Sequence, residues 1–140
     1  MSKYDFELEF EVRDYECALQ GIVNNAVYLN YLEHSRHKYL KYIGFDFAEL
    51  NRRGYDLVMT RCELDYRQSL RSGDLFVVGL HMVRRSKLRF AFHQEVLVGN
   101  DQSIALQARI VVTCRNRNGR PEFPDELLEK LVAHVKTGLD

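Results

Sequence analysis

Apolar and polar residues alternate without a break from Tyr4 to Val12. Tyr4, Phe6, Leu8, Phe10 and Val12 fall on one face, and Asp5, Glu7, Glu9 and Glu11 on the other. A period of two marks a strand with one side buried and the other in water. The pattern is lost from Arg13 to Val23, a stretch containing Gly21 that reads as a loop. From Asn25 to Ile43 the spacing becomes helical. Tyr28, Leu32, Ser35, Tyr39 and Ile43 share a face, which Val27, Tyr31 and Leu40 widen. Asn24 is placed to cap this helix, because its side chain can accept from an early backbone N–H. Gly44 is placed to end it, since glycine reaches positive φ without penalty. Asp46 and Glu49 then predict a short capped helical turn to about Arg53.

Four strand patterns follow, at Tyr55 to Tyr66, Leu75 to Val83, Leu88 to Val98 and Ile104 to Cys114. In the first, Val58, Thr60, Cys62, Leu64 and Tyr66 are expected together on one face. Turn residues separate the strands at Ser72-Gly73-Asp74, Arg84 to Lys87 and Gly99-Asn100-Asp101. Asp125 to Val135 predicts a last helix. Strands joined by short turns pair antiparallel, and a long apolar helix needs a surface over it. A curved antiparallel sheet covering that helix meets both demands, an α+β arrangement. No repeat or linker interrupts the pattern, so residues 1–140 are expected to form one domain.

Composition narrows the function classes. With 20 basic and 20 acidic residues the net charge is zero, which argues against a general nucleic-acid binder. No apolar run approaches membrane-spanning length and the first residues carry no signal-like region, so no membrane partner is expected. Cys17, Cys62 and Cys114 are odd in number and widely spaced. That argues against a disulfide framework or a paired-cysteine metal site, and for the cytoplasm.

Candidate chemistry concentrates in the stretch from Asp14 to Arg36, which contains Gly21-Ile22-Val23-Asn24-Asn25, then Tyr28, then Glu33-His34-Ser35-Arg36. This stretch resembles the start of the 4-hydroxybenzoyl-CoA thioesterase family: an acidic loop, a Gly-hydrophobic-Val turn, a helix start carrying His or Asn, a Tyr and a Glu-x-x-Arg. Tyr66 followed by Leu70-Arg71-Ser72-Gly73-Asp74 is similar to a later segment of that family. The resemblance implies the hotdog fold, a five-stranded antiparallel sheet wrapped around one long central helix. It also implies homodimers or homotetramers, and hydrolysis of a small-molecule acyl-CoA with no metal and no cofactor beyond the coenzyme A of the substrate. The backbone N–H of Asn25 then becomes the donor to the thioester oxygen, where the helix dipole favours developing negative charge. Tyr28 becomes a substrate contact.

One position departs from that family. Its catalytic aspartate stands three residues before the glycine, and here that slot holds Ala18. Alanine can neither attack a carbonyl nor move a proton. Glu33 on the helix and Glu16 in the loop are the possible substitutes; otherwise Glu33 reads as an ordinary i, i+3 partner of Arg36 and Glu16 as a solvated acid. Arg85, Ser86 and Lys87, in a basic turn, are candidates for coenzyme A phosphates. His34 and His37 lack the i, i+4 spacing of paired helix ligands in zinc hydrolases, and no third ligand is evident. The sequence thus supports an acyl-CoA thioesterase, with a non-catalytic acyl-CoA-binding protein as the alternative. A hotdog dehydratase ranks last, because no histidine stands in the 13–33 region.

Overall fold

The computed structural model describes residues 3–135; the outermost positions of the expected 1–140 domain lie outside the described residues. Strand β1 (Phe6–Glu11) is followed by a 3-10 turn at Asp14–Glu16 and by helix α1 (Val27–Tyr42). Helix α2 (Phe47–Arg52) leads into β2 (Asp56–Tyr66), β3 (Leu75–Ser86), β4 (Arg89–Val98) and β5 (Ser103–Arg115), and helix α3 (Asp125–His134) comes last. The strands form one antiparallel sheet in the order β1-β3-β4-β5-β2. β1 and β2 are consecutive in sequence yet occupy opposite edges, and α1 packs on the sheet between them. The α+β arrangement read from the spacing, an antiparallel sheet covering one long helix, is the architecture found, and it is the hotdog fold that the resemblance implies.

Aromatic side chains join helix to sheet. Phe10 of β1 and Phe76 of β3 stack at 5.0 Å, and Tyr31 of α1 meets Phe76 at 4.8 Å. Tyr39 contacts Phe6 at 5.6 Å and Phe92 of β4 at 6.4 Å. Leu32, Leu80, Phe90, Leu106 and Ile110 are fully buried around them. Burial on this scale, rather than local propensity, carries most of a helix's stability.

Three local expectations change. First, α1 begins at Val27, not Asn25. Asn24 still braces the entrance: its side chain accepts from Ala26 N–H at 3.0 Å and its carbonyl from Val27 N–H at 2.9 Å. Second, the β2–β5 register shifts between Met59 and Arg61. One extra residue on one strand inverts the alternation beyond it. Leu57 and Met59 therefore share the helix-facing side with Cys62, Leu64 and Tyr66, while Val58 pairs with Thr113 on the other side. Third, β3 runs to Ser86, so Arg85 and Ser86 belong to the strand end and the turn consists of Lys87 and Leu88.

Candidate functional site

The stretch read as a plain loop contains a miniature hairpin. Cys17 pairs with Val23, Ala18 N–H donates to Ile22 O at 2.8 Å, and Gly21 N–H donates to Ala18 O at 2.9 Å. Gly21 sits at φ +82°, the left-handed conformation that a tight turn of this kind assigns to glycine. Asn24 N–H reaches back to Glu16 O at 3.1 Å. The hairpin thus carries Ala18 on one arm and delivers the chain to the helix entrance from the other.

The Leu70–Asp74 segment straps this hairpin down. Val23 N–H donates to Leu70 O and Ile22 bridges Arg71. Leu70 N–H donates to the Tyr28 hydroxyl at 3.1 Å. Tyr28 is buried, so within one chain its hydroxyl serves the strap. Tyr66, at the end of β2, donates its hydroxyl hydrogen to Asn25 O at 3.0 Å. That bond holds the Asn25–Ala26 peptide; the preceding peptide, which carries the Asn25 N–H, is held by the Val27 N–H bond to Asn24 O. The Asn25 N–H has no acceptor among the described residues. An exposed, oriented N–H at the entrance of a 16-residue helix is placed to receive an anionic or carbonyl oxygen.

Glu16 is not the free loop acid the sequence suggested. Its carboxylate accepts from Tyr31 hydroxyl at 2.8 Å and from Arg13 N–H at 2.8 Å. Burial and this carboxylate together raise the Tyr31 phenol pKa. Glu16 therefore holds the 3-10 turn against α1. The slot at Ala18 offers only a methyl group.

Glu33 has a different setting. It is exposed, one helical turn from Arg36, and the expected i, i+3 ion pair between them is not formed. Instead Arg36 turns beneath the helix, 9% exposed, and its Nη1 donates to Gln94 Oε1 at 3.1 Å. Gln94 is itself buried and donates from Nε2 to Leu32 O at 3.1 Å. Burial, countered in part by Glu33, pulls the Arg36 pKa down to about 10, and the guanidinium stays charged at neutral pH. Glu33, Arg36 and His37 line a cleft of about 360 Å³ between α1, α2 and the first half of β2, with walls that include Leu40, Leu57 and Phe92. Burial, opposed by Glu33 and aided by Arg36, lowers the His37 pKa below its usual value.

Sequence reasoning missed Arg36 and Gln94 as partners. Arg36 stands four residues from both Leu32 and Leu40, so the helical period did place it on the buried face. Gln94 fills the inward slot between Phe92 and Val96. The signal was present in both, but Arg36 was read as a surface partner of Glu33 and Gln94 was not singled out.

Arg85, Ser86 and Lys87 are not brought to Asn25 within one chain. Tyr66 lies across the sheet from Leu106, Val96 and Val78, seven residues before Arg85 on β3. At strand rise the two ends are roughly 23 Å apart. Arg84 spends its donors locally, on the carbonyls of Ser86 at 3.1 Å and Lys87 at 2.9 Å. His34 meets Phe10 and His37 meets Phe47, so the two imidazoles diverge. Among the described residues no group of three metal-ligating side chains occurs, and no helix is long and apolar enough to cross a membrane. A larger hollow of about 550 Å³, holding His81, His93 and Glu95, lies on the sheet face turned away from α1 and is separate from the helix entrance.

Comparison with known proteins agrees with this geometry. The chain is 35% identical over 131 residues to the chloroplastic acyl-acyl carrier protein thioesterase ATL3 of Arabidopsis thaliana, covering 93% of this chain and 69% of that protein. A crystal structure of a hypothetical protein from Aquifex aeolicus superposes with a TM-score of 0.82 at 28% identity, covering 90% of this chain and 98% of that one. A Staphylococcus aureus protein solved in complex with CoA shares the fold, with a TM-score of 0.83 at 17% identity, covering 94% and 86%. Residues 12–131 match the thioesterase-like superfamily, and the chain belongs to that family.

Proposed function

We propose that this protein hydrolyses an acyl thioester carried on a phosphopantetheine arm, at a site completed by a second copy of the chain. The observation that carries the reading is the Asn25 N–H. Its peptide is held by the Val27 N–H bond to Asn24 O, and it is left without an acceptor at the helix entrance. Such a donor stabilises the oxyanion that forms when water attacks the thioester carbonyl.

The base is the harder question, and the spacing on α1 bears on it. Asn25 and Glu33 are eight residues apart, about 12 Å along a helix axis. A carbonyl at Asn25 is beyond the reach of Glu33 in the same chain. Two copies remove the problem. β2 is an 11-residue edge strand, largely exposed, with Met59, Cys62 and Tyr66 open along it. The other edge, β1, has six residues and exposes Glu7, Glu9 and Glu11, which resist pairing with a second acidic strand. A two-fold pairing through β2 sets the Tyr66 end of one copy beside the Asp56–Met59 end of the other. Asn25 of one copy then faces the cleft that holds Glu33 of the other. Glu33 takes a proton from the attacking water, the C–S bond breaks, the thiolate leaves and is protonated, and the acyl group departs as a carboxylate. The same two-fold carries Arg85, Ser86 and Lys87 of one copy toward the helix entrance of the other, where they hold phosphates of the carrier arm. Three unpaired cysteines fit a reducing compartment, and we place this one-domain protein in the cytoplasm.

Support for the carrier comes from two likenesses, the complex with CoA and the acyl-carrier thioesterase; their shared chemistry is the phosphopantetheine thioester. Thiol release from acyl-CoAs and from acylated carrier protein, measured side by side, separates the two sources. Glu33→Gln is expected to lower kcat about 10²- to 10⁴-fold with binding retained, and His37→Gln to have a small effect. Ala18 favours a second reading, a binding protein that has lost turnover. Tight coenzyme A binding with no thiol release from any acyl donor would establish it in place of the first.

A further inference from the structure

Buried charges in proteins are paired, because an isolated ion in an apolar setting is costly. Arg36 breaks that rule. Its residue is 9% exposed, yet among the described residues no carboxylate lies in ion-pair range, and its acceptor is the neutral amide of Gln94. One neutral acceptor leaves most of the five guanidinium donors unused. Gln94 Oε1 accepts from Nη1 alone, while its Nε2 donates to Leu32 O and holds the amide in place. The unused donors border the cleft between α1, α2 and β2, whose walls are mainly aliphatic and aromatic and also carry the carboxylates of Glu33 and Asp56, neither in ion-pair range of Arg36. A fixed cation with unused donors in such a cleft is a receptor for an anion brought in by the ligand.

We infer that Arg36 selects acyl groups that carry a carboxylate, so that the preferred substrate is a short dicarboxylic half-thioester rather than a plain fatty acyl chain. The inference rests on the cleft being the acyl site. Its length scale is set by the helix: Glu33, beside the thioester, and Arg36 are one turn apart, about 4.5 Å along the axis. The second carboxylate therefore stands only a few bonds from the reacting carbonyl. A long methyl-terminated chain would leave the guanidinium without a partner and push it against hydrocarbon, which a site built to bond a polar group rejects. Gln94 is the positioning residue here, because its contact with Leu32 O ties the guanidinium to the helix backbone.

The test has two arms. In the first, kcat/KM is measured for succinyl-CoA and glutaryl-CoA against butyryl-CoA and valeryl-CoA. The carboxyl-bearing donors are expected to be favoured about 10- to 100-fold, the range of one charged hydrogen bond. Arg36→Gln is expected to abolish that preference and Arg36→Lys to keep part of it. In the second arm, binding of free glutarate and of uncharged valeramide to the protein is followed by NMR, with no turnover required. Glutarate is expected to bind more tightly, and Arg36→Gln to remove the difference. Turnover without any preference would overturn the inference while leaving the thioesterase reading intact. Arg36-dependent glutarate binding without turnover would do the reverse. Equal binding of glutarate and valeramide to the wild type would overturn the inference whatever Arg36→Gln does to folding.

Discussion

Ala18 and Asn25 sit on the two arms of one entrance, and they point in opposite directions. The Asn25 N–H, the oxyanion donor in our proposal, has no acceptor among the described residues, while the neighbouring slot offers a methyl group and no base. If Glu33 supplies the base, adding a carboxylate at the slot is redundant. Ala18→Asp should then leave thioester turnover within a few-fold of the wild type. A rise of about 10²- to 10⁴-fold, the range of a restored general base, would move the chemistry to the loop. Glu16 takes no part in this choice, because Tyr31 and Arg13 already claim its carboxylate. At this scale the resemblance pointed to the candidate positions, Ala18 and Asn25 counted from Gly21 and Glu33 as an acid on the central helix. The sequence was not legible where a side chain's partner comes from another element. Arg36 looked like a helix-surface partner of Glu33, and only the fold shows that its partner is Gln94 on β4.

Strands and helices were predicted well because their periods survive in the sequence; register was not. The irregularity between Met59 and Arg61 shifts half of β2 onto the opposite alternation, and nothing in Leu57-Val58-Met59-Thr60-Arg61 announces it. β4 shows what the regular strands achieve. Its inward side meets α1, and its outward side carries Glu95, which accepts from Gln107 at 2.6 Å, from Lys3 at 2.9 Å and from the Tyr4 hydroxyl. Burial pushes the Glu95 pKa up, but Gln107, Tyr4 and Lys3 outweigh it and hold the carboxyl below its ordinary value. A carboxyl depressed in the folded state contributes stability that is full above its unfolded pKa and lost as pH falls through the folded one. The tie between the N-terminal segment and the sheet should therefore hold through neutral pH and weaken only below the ordinary carboxylate range. Glu95→Gln is expected to flatten the acid limb of a denaturation-versus-pH curve. An acid limb identical to that of the wild type would show that the carboxylate gains nothing on folding.

For the whole molecule, the central claim is that one chain does not hold a complete site. The helix separates Asn25 from Glu33 and the sheet separates Asn25 from Arg85; the pairing we propose along the open edge of β2 would remove both separations. Two single-site variants test this directly. Asn25→Pro deletes the N–H donor, and Glu33→Gln deletes the base. Each protein alone should be nearly inactive. When the two are co-expressed, half of the dimers are mixed, and each mixed dimer contains one site with both groups intact. Thioester turnover should then return to about a quarter of the wild-type rate per chain. Recovery to that level is the predicted result. No recovery, in a preparation where mass spectrometry shows that mixed dimers have formed, would contradict the account and place both groups in a single chain's site.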